Sequence, residues 1–241
     1  MNLWAGAKEL LFPTKCPFCQ NIMERPEDLV CPDCQRKLPW LTGKAAERKV
    51  DFADGCFSPL GYRDRVPEAV RRYKFGRVNA CGRPFGLLAA QCAQDHLPRR
   101  PDAVTWAPLS RQRLRERGFD QAELMARAAG EALGLPVIPM LKKVRHTGAQ
   151  SDLEDERERR ANVRGAYALL PGAGVSGKKL LLVDDVVTTG STLGECAETL
   201  LLGGADRIWC LTLAQAGGPG RTGKIKEKTV EKRDKSVYNI T

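Results

Sequence analysis

Two adjacent carboxylates, Asp184 and Asp185, stand at the end of an apolar run, Leu180 to Val183. Val186 and Val187 follow them, and then come five small residues: Thr188, Thr189, Gly190, Ser191 and Thr192. A loop of this kind that opens a helix aims backbone N–H groups and hydroxyls at one point, and the helix dipole adds positive potential there. A phosphate fits that point. Two carboxylates repel phosphate, but they can hold the hydroxyls of a ribose or a bridging Mg2+. Phosphate at one end and a diol at the other describe a ribose 5-phosphate. An ordinary strand-to-helix turn with polar capping residues would also account for the small residues, since Thr192 and Glu195 have capping-box spacing. It would leave the two acids without a reason.

The elements that must carry this constellation can be read on either side of it. Leu180 to Val183 reads as a buried central strand. Leu193, Cys196, Ala197, Leu200 and Leu201 share one helical face, and Gly203-Gly204 makes a helix stop. From Asp51 onward the pattern alternates strand and helix, which predicts an α/β domain over 51–216 with a parallel sheet flanked by helices. Residues 104–109 read as a strand. Residues 119–133 read as a helix with Ala122, Met125, Ala129 and Leu133 on one face, ended by Gly134. Strands follow at 136–141, 166–170 and 207–214. A further helix begins at Ser151, with Glu154 at capping-box distance.

Nine cysteines occur, and four are organised as Cys16-x2-Cys19 and Cys31-x2-Cys34, eleven residues apart. Each pair shapes a knuckle, preset by Pro17 and Pro32, and two knuckles close a tetrahedral Zn2+ site. A redox dithiol is the alternative, but that chemistry needs one pair only. Four protein ligands leave no open position, so the metal is expected to be structural. The expected zinc ribbon module spans 1–42, with Pro39 to Lys44 as a linker. Cys56, Cys81, Cys92, Cys196 and Cys210 lack ligand spacing and read as small buried residues. Leu3, Ala7, Leu10 and Leu11 suit a short docking helix. The N-terminal stretch lacks the pattern of a signal peptide and no run is long enough to span a membrane, so a cytoplasmic location is expected.

The stretch from Leu180 to Leu193 resembles the 5-phosphoribosyl-1-pyrophosphate (PRPP) loop of type I phosphoribosyltransferases. The resemblance implies Asp184 and Asp185 on the ribose 2- and 3-hydroxyls. It implies Thr188, Thr189, Gly190, Ser191 and Thr192 around the 5-phosphate. Two more segments extend it: RQRLRERGFDQA from Arg111 to Ala122, and RHTGAQSDLEDERERRANVRGAY from Arg145 to Tyr167. With the cysteine knuckles, these make the chain similar to the ComF/GntX family over about residues 10–215. Those are bacterial phosphoribosyltransferase-like proteins with an N-terminal zinc ribbon, associated with DNA uptake in natural transformation. The family usually carries Asn after Arg-Gly-Phe, where this chain has Asp120. Some members carry a second ribbon, whereas this chain has four clustered cysteines. Lys74-Phe75 ahead of Gly76 also fits the family pattern, and without it Lys74 is only a lysine near a helix end.

Arg111, Arg113, Arg115 and Arg117 follow the end of a strand, where ligands of open parallel sheets bind, and arginine holds pyrophosphate bidentately. A solvated charged face would look the same. Alternation with Gln, Leu and Glu lets one or two converge on a ligand, Arg117 first. Lys142, Lys143, Arg145 and Thr147 precede the helix at Ser151. In type I transferases a mobile loop in this region closes over pyrophosphate, and an ordinary basic linker reads equally well here.

The net charge of +10 suits a phosphorylated ligand, nucleic acid or solubility alone. The tail 217–241 reads as disordered and basic; residues 221–241 carry seven basic and three acidic side chains. Two functions follow as expectations. The first is a phosphoribosyl transferase that binds Mg2+-PRPP through Asp184, Asp185, Arg117, Arg145 and the small-residue loop, and acts by positioning and charge. The second is a non-catalytic PRPP- or nucleotide-sensing module that handles single-stranded DNA beside the competence DNA-uptake machinery. Aromatics are only 6% of the chain, and Trp4, Trp40, Trp106 and Trp209 are scattered, so no stacking platform is legible.

Overall fold

A computed structural model describes residues 13–76, 78–144 and 165–217. In chain order they form α1 (Pro32–Lys37), β1 (Glu47–Arg48), β2 (Gly55–Phe57), β3 (Leu60–Gly61), α2 (Val66–Phe75), α3 (Gly82–His96), β4 (Ala103–Trp106), α4 (Arg111–Arg117) and α5 (Gln121–Leu133). Then come β5 (Leu141–Lys143), β6 (Tyr167–Leu169), β7 (Lys179–Val187), α6 (Ser191–Leu202) and β8 (Arg207–Gln215). Arg145, Thr147, the helix expected from Ser151, the N-terminal helix and the tail beyond Gly217 lie outside the described residues.

The main sheet runs β1-β2-β8-β7-β4, with β3 also on β8. All pairings are parallel except β1 on β2. The long central pair β7–β8 aligns Leu180 with Ile208 and Asp184 with Thr212. Strands β2 and β3 lie end to end along β8, separated by Ser58 and Pro59. Pro59 has no N–H for a ladder. Beside it, the buried Ser58 and Thr212 hydroxyls bond each other at 2.6 Å.

Alternation along the central strands sorts the core into two halves. Leu181, Val183, Trp209, Leu211 and Leu213 join the side chains of α2, α3 and α5. Leu180, Leu182, Ile208 and Cys210 face α6 and the β5–β6 ribbon. Both faces are covered, which is why the run at Leu180 is apolar without a break. Helices α3 and α5 touch closely: a Cβ on Gly86 would stand 2.5 Å from the Met125 carbonyl oxygen.

The cysteine module is not set apart from this core. Cys16, Phe18, Met23, Val30 and Cys34 belong to the same apolar cluster as Tyr73 and Phe85, and the Phe18 and Phe85 rings lie 5.3 Å apart. The expected linker is tied down as well. Trp40 bridges to Leu60, and the Leu41 N–H donates to the Pro59 carbonyl at 2.8 Å.

Several expected boundaries move. The strand 180–183 extends over 179–187, so both acids lie within the ladder rather than beyond it. The strand at 136–141 shrinks to one bridge between Val137 and Val104, because Pro136 and Pro139 flank it without donors. The segments around 141 and 166–170 form an antiparallel pair, β5 and β6, outside the parallel sheet. Residues 111–117, read as a charged stretch, form helix α4, capped by the Ser110 hydroxyl and ended by Gly118 at φ +83°. Among the described residues no helix is long and apolar enough to cross a membrane.

Candidate functional site

A cleft of about 330 Å3 opens at the carboxyl ends of β4 and β7. Its floor is the expected pair of acids. The Asp185 N–H donates to Asp184 Oδ1 at 2.8 Å, and Asp185 Oδ2 meets Lys74 Nζ at 2.8 Å. Burial, then the neighbouring Asp185 charge, push Asp184 up to about 7, and the Lys74 ammonium pulls against them.

Thr188 to Thr192 edge the same cleft. Gly190 sits at φ +84° just before α6, a conformation that glycine reaches without strain. Gly190 has no side chain to cap the helix, and a helix start leaves its first N–H groups without intrahelical partners. The Thr189 and Ser191 hydroxyls bond at 2.7 Å, and Thr189 Oγ1 accepts the Ser191 N–H at 3.3 Å. The capping-box alternative does not form. Thr192 lies inside the first turn, and Glu195 Oε1 accepts the N–H groups of Gly165 and Ala166 instead.

Cations make the facing wall. Helix α4 places Arg113 and Arg117, one turn apart, on the cleft, while Arg111 and Arg115 are exposed. Arg117 Nη1 donates to Gln121 Oε1 at 2.8 Å, and its guanidinium lies 5.2 Å from the centre of the Phe75 ring. Burial draws Arg117 below its ordinary range, against the pull of the Asp185 charge. Lys143 reaches the cleft from β5, with its ammonium 5.0 Å from the centre of the Tyr167 ring. Burial, then the Arg113 charge, lower it too. The structure therefore gathers Asp184, Asp185, Thr188, Thr189, Gly190, Ser191, Thr192 and Arg117 in one place; Arg145 lies outside the described residues.

Tyr62 and Tyr167 also line the cleft, and nothing in their local sequence signals it. Asp120 sits behind the wall rather than in it. Its Oδ2 accepts the Leu109 N–H at 2.8 Å, and its Oδ1 accepts those of Ala122 and Glu123 at 3.1 and 3.3 Å. Residue 120 thus acts as the cap of α5 and the clamp on the loop after β4, through acceptors alone. No amide donor is required.

The four clustered cysteines form a second centre. The sulfurs of Cys16, Cys19, Cys31 and Cys34 all lie within 4.8 Å of one another. A tetrahedral zinc with bonds of about 2.3 Å needs sulfur separations of about 3.8 Å, so the set fits. The Cys34 N–H points at Cys31 Sγ, and Arg65 Nη1 donates to Cys34 Sγ at 3.2 Å. Among the described residues it is the one such cluster.

A phosphoribosyl transferase domain model matches residues 119–241, and a double zinc ribbon domain model matches residues 7–48. Fold and match together define a type I phosphoribosyltransferase domain joined to a zinc ribbon. The chain is 26% identical to competence protein F of Haemophilus influenzae, over 85% of this chain and 98% of that protein. It is 32% identical to the DNA utilization protein YhgH of Salmonella typhimurium, over 81% and 82% respectively. It is 24% identical to competence protein ComFC of Streptococcus pneumoniae, over 83% and 87%. The chain belongs to the ComF/GntX family.

Proposed function

We propose that the cleft binds Mg2+-PRPP and that this binding serves DNA uptake. One observation carries the reading: an acidic pair and a small-residue loop that opens a helix share a single strand–loop–helix, and Arg113, Arg117 and Lys143 line the same cleft. The Thr188–Thr192 loop would take the 5-phosphate through N–H groups and hydroxyls. Asp184 and Asp185 would accept the two ribose hydroxyls. Arg117, already oriented by Gln121, would meet the pyrophosphate, with Arg113 and Lys143 beside it. A Mg2+ ion held near the acid pair would neutralise pyrophosphate charge. In a transfer, an acceptor nitrogen bonds to ribose C1 as the C1–O bond to pyrophosphate breaks; pyrophosphate leaves with that electron pair, and the proton of the acceptor N–H passes to solvent. The Arg117 guanidinium would stabilise the departing charge, and no covalent nucleophile is needed.

Calorimetry with Mg2+-PRPP tests the binding. The native chain should bind, and Asp184→Asn with Asp185→Asn should lose most of that affinity. Equal affinity in the two would sink the ribose assignment. Incubation with a panel of nitrogenous bases, read as released pyrophosphate, decides whether transfer occurs.

A second reading is favoured by the names of the relatives, which speak of competence and DNA utilization. Here the cleft senses a phosphoribosyl ligand and the basic surface holds single-stranded DNA. Contacts would be mainly to phosphates, so affinity should fall steeply with salt and depend little on sequence. A chain ending at residue 216 should bind more weakly if the tail contributes. Failure of both chains to bind at low salt would leave the first reading alone.

A further inference from the structure

Helix α2 spans the distance between the two centres, and its residues touch both. At its start Arg65 Nη1 donates to Asp33 Oδ2 at 2.8 Å and to Cys34 Sγ at 3.2 Å. Two turns on, Arg72 Nη2 donates to the Phe18 carbonyl at 2.7 Å and the Pro17 carbonyl at 3.1 Å. Those carbonyls belong to the knuckle between Cys16 and Cys19. The next two residues serve the cleft. The Tyr73 hydroxyl donates to the Gln121 carbonyl at 2.8 Å, and the Gln121 side chain holds Arg117. Lys74 Nζ pairs with Asp185 at 2.8 Å. From Arg65 to Lys74 is about 14 Å of rigid helix. A shift of the knuckle therefore moves Lys74 and the Arg117 support together.

We propose that α2 couples the four-cysteine site to the cleft, so that metal in the ribbon tightens ligand binding and ligand in the cleft tightens the metal. Arg72 is the positioning residue of this link. Coupling between binding sites is reciprocal, so either direction measures it. The proposal rests on the PRPP reading only for its choice of ligand. Coupling requires a differential contact, and the Lys74–Asp185 pair supplies one. A ribose on Asp185 competes for the carboxylate or joins the pair, and either changes the load on α2.

The experiment is zinc release from the full chain into excess 4-(2-pyridylazo)resorcinol, with Mg2+ alone or with saturating Mg2+-PRPP, alongside calorimetry. Release from the native chain should slow about fivefold with PRPP. Arg72→Met should still bind zinc and PRPP but lose this protection, so that its two rates become equal. Arg72→Lys, which keeps the charge and N–H donors on a single nitrogen, should retain some of the protection and covers the case in which the Met variant fails to fold. A variant that merely loosens the ribbon speeds release equally with and without PRPP and leaves the ratio unchanged, so an unchanged ratio in Arg72→Met overturns the proposal. So does a native ratio of one when calorimetry records binding. If calorimetry records no binding, the PRPP reading fails, and Lys74→Met decides the coupling without ligand. Faster zinc release than native supports the link, and an unchanged rate refutes it.

Discussion

Burial pushes the Asp120 carboxyl up to about 6, although three backbone N–H groups bond to it. Its folded value lies above its unfolded one, so the folded state binds the extra proton between about 4 and about 6. Native stability from this group therefore rises as pH falls through that window, and it is lost as pH climbs past 6. Asp120→Asn removes the titration and sets an amide NH2 against one of the N–H donors. We expect a loss of about 1 to 3 kcal/mol at neutral pH. The gap to the native chain should widen as pH drops from about 7 to about 4.5, read as urea midpoints at each pH. Gly190→Ala acts at the same scale. A side chain at φ +84° is strained, and its Cβ would lie 3.3 Å from Val50. Stability should fall by about 1 to 2 kcal/mol. PRPP affinity should fall further than the melting temperature suggests, because the loop itself is redirected.

At the scale of elements, the α3–α5 contact is the most demanding. With the Met125 carbonyl 2.5 Å from an added Cβ, Gly86→Ala must push apart a pair of helices at a point where Met125 and Ala128 are buried. A cost of about 2 to 3 kcal/mol is expected from thermal or urea unfolding. The legibility of the elements follows from how local their signals are. Strand β7 is legible because burial on both faces demands an unbroken apolar run, and α5 because Gly134 and one apolar face bound it. Helix α4 is not, since none of its residues is buried and its sequence has no apolar stripe to read. Its cap, Ser110, is the overlooked signal. Strands β5 and β6 are legible as strands but not as a separate pair, since three-residue strands are assigned by their partners rather than their composition. In the site, the acids and loop announce themselves by type and spacing. Lys74 and Lys143 stand in segments that the family resemblance marks, but their own spacing gives them no role, and only tertiary packing brings them to the cleft.

At the scale of the whole molecule, the ribbon and the sheet share one apolar cluster. A module of this size has little core of its own, so its metal is expected to support more than itself. Chelation should lower the melting temperature of the entire chain, as one shifted calorimetric transition. A sheet domain melting at its native temperature after zinc removal would show instead that ribbon and sheet are energetically separate.

The seam between ribbon and sheet also carries its own lamp. The Trp40 indole N–H donates to the Gln35 carbonyl at 2.8 Å, and its backbone bridges to Leu60 at the sheet. Trp209 lies deep in β8 at 2% exposure. With Trp4 and Trp106 replaced, the two rings would redden at different moments if the ribbon let go first, and together if it did not. In a chain that keeps Trp40 and carries Trp4→Phe, Trp106→Phe and Trp209→Phe, the four tryptophan sites reduce to one, and emission colour would time the opening of the seam during a millisecond mixing experiment.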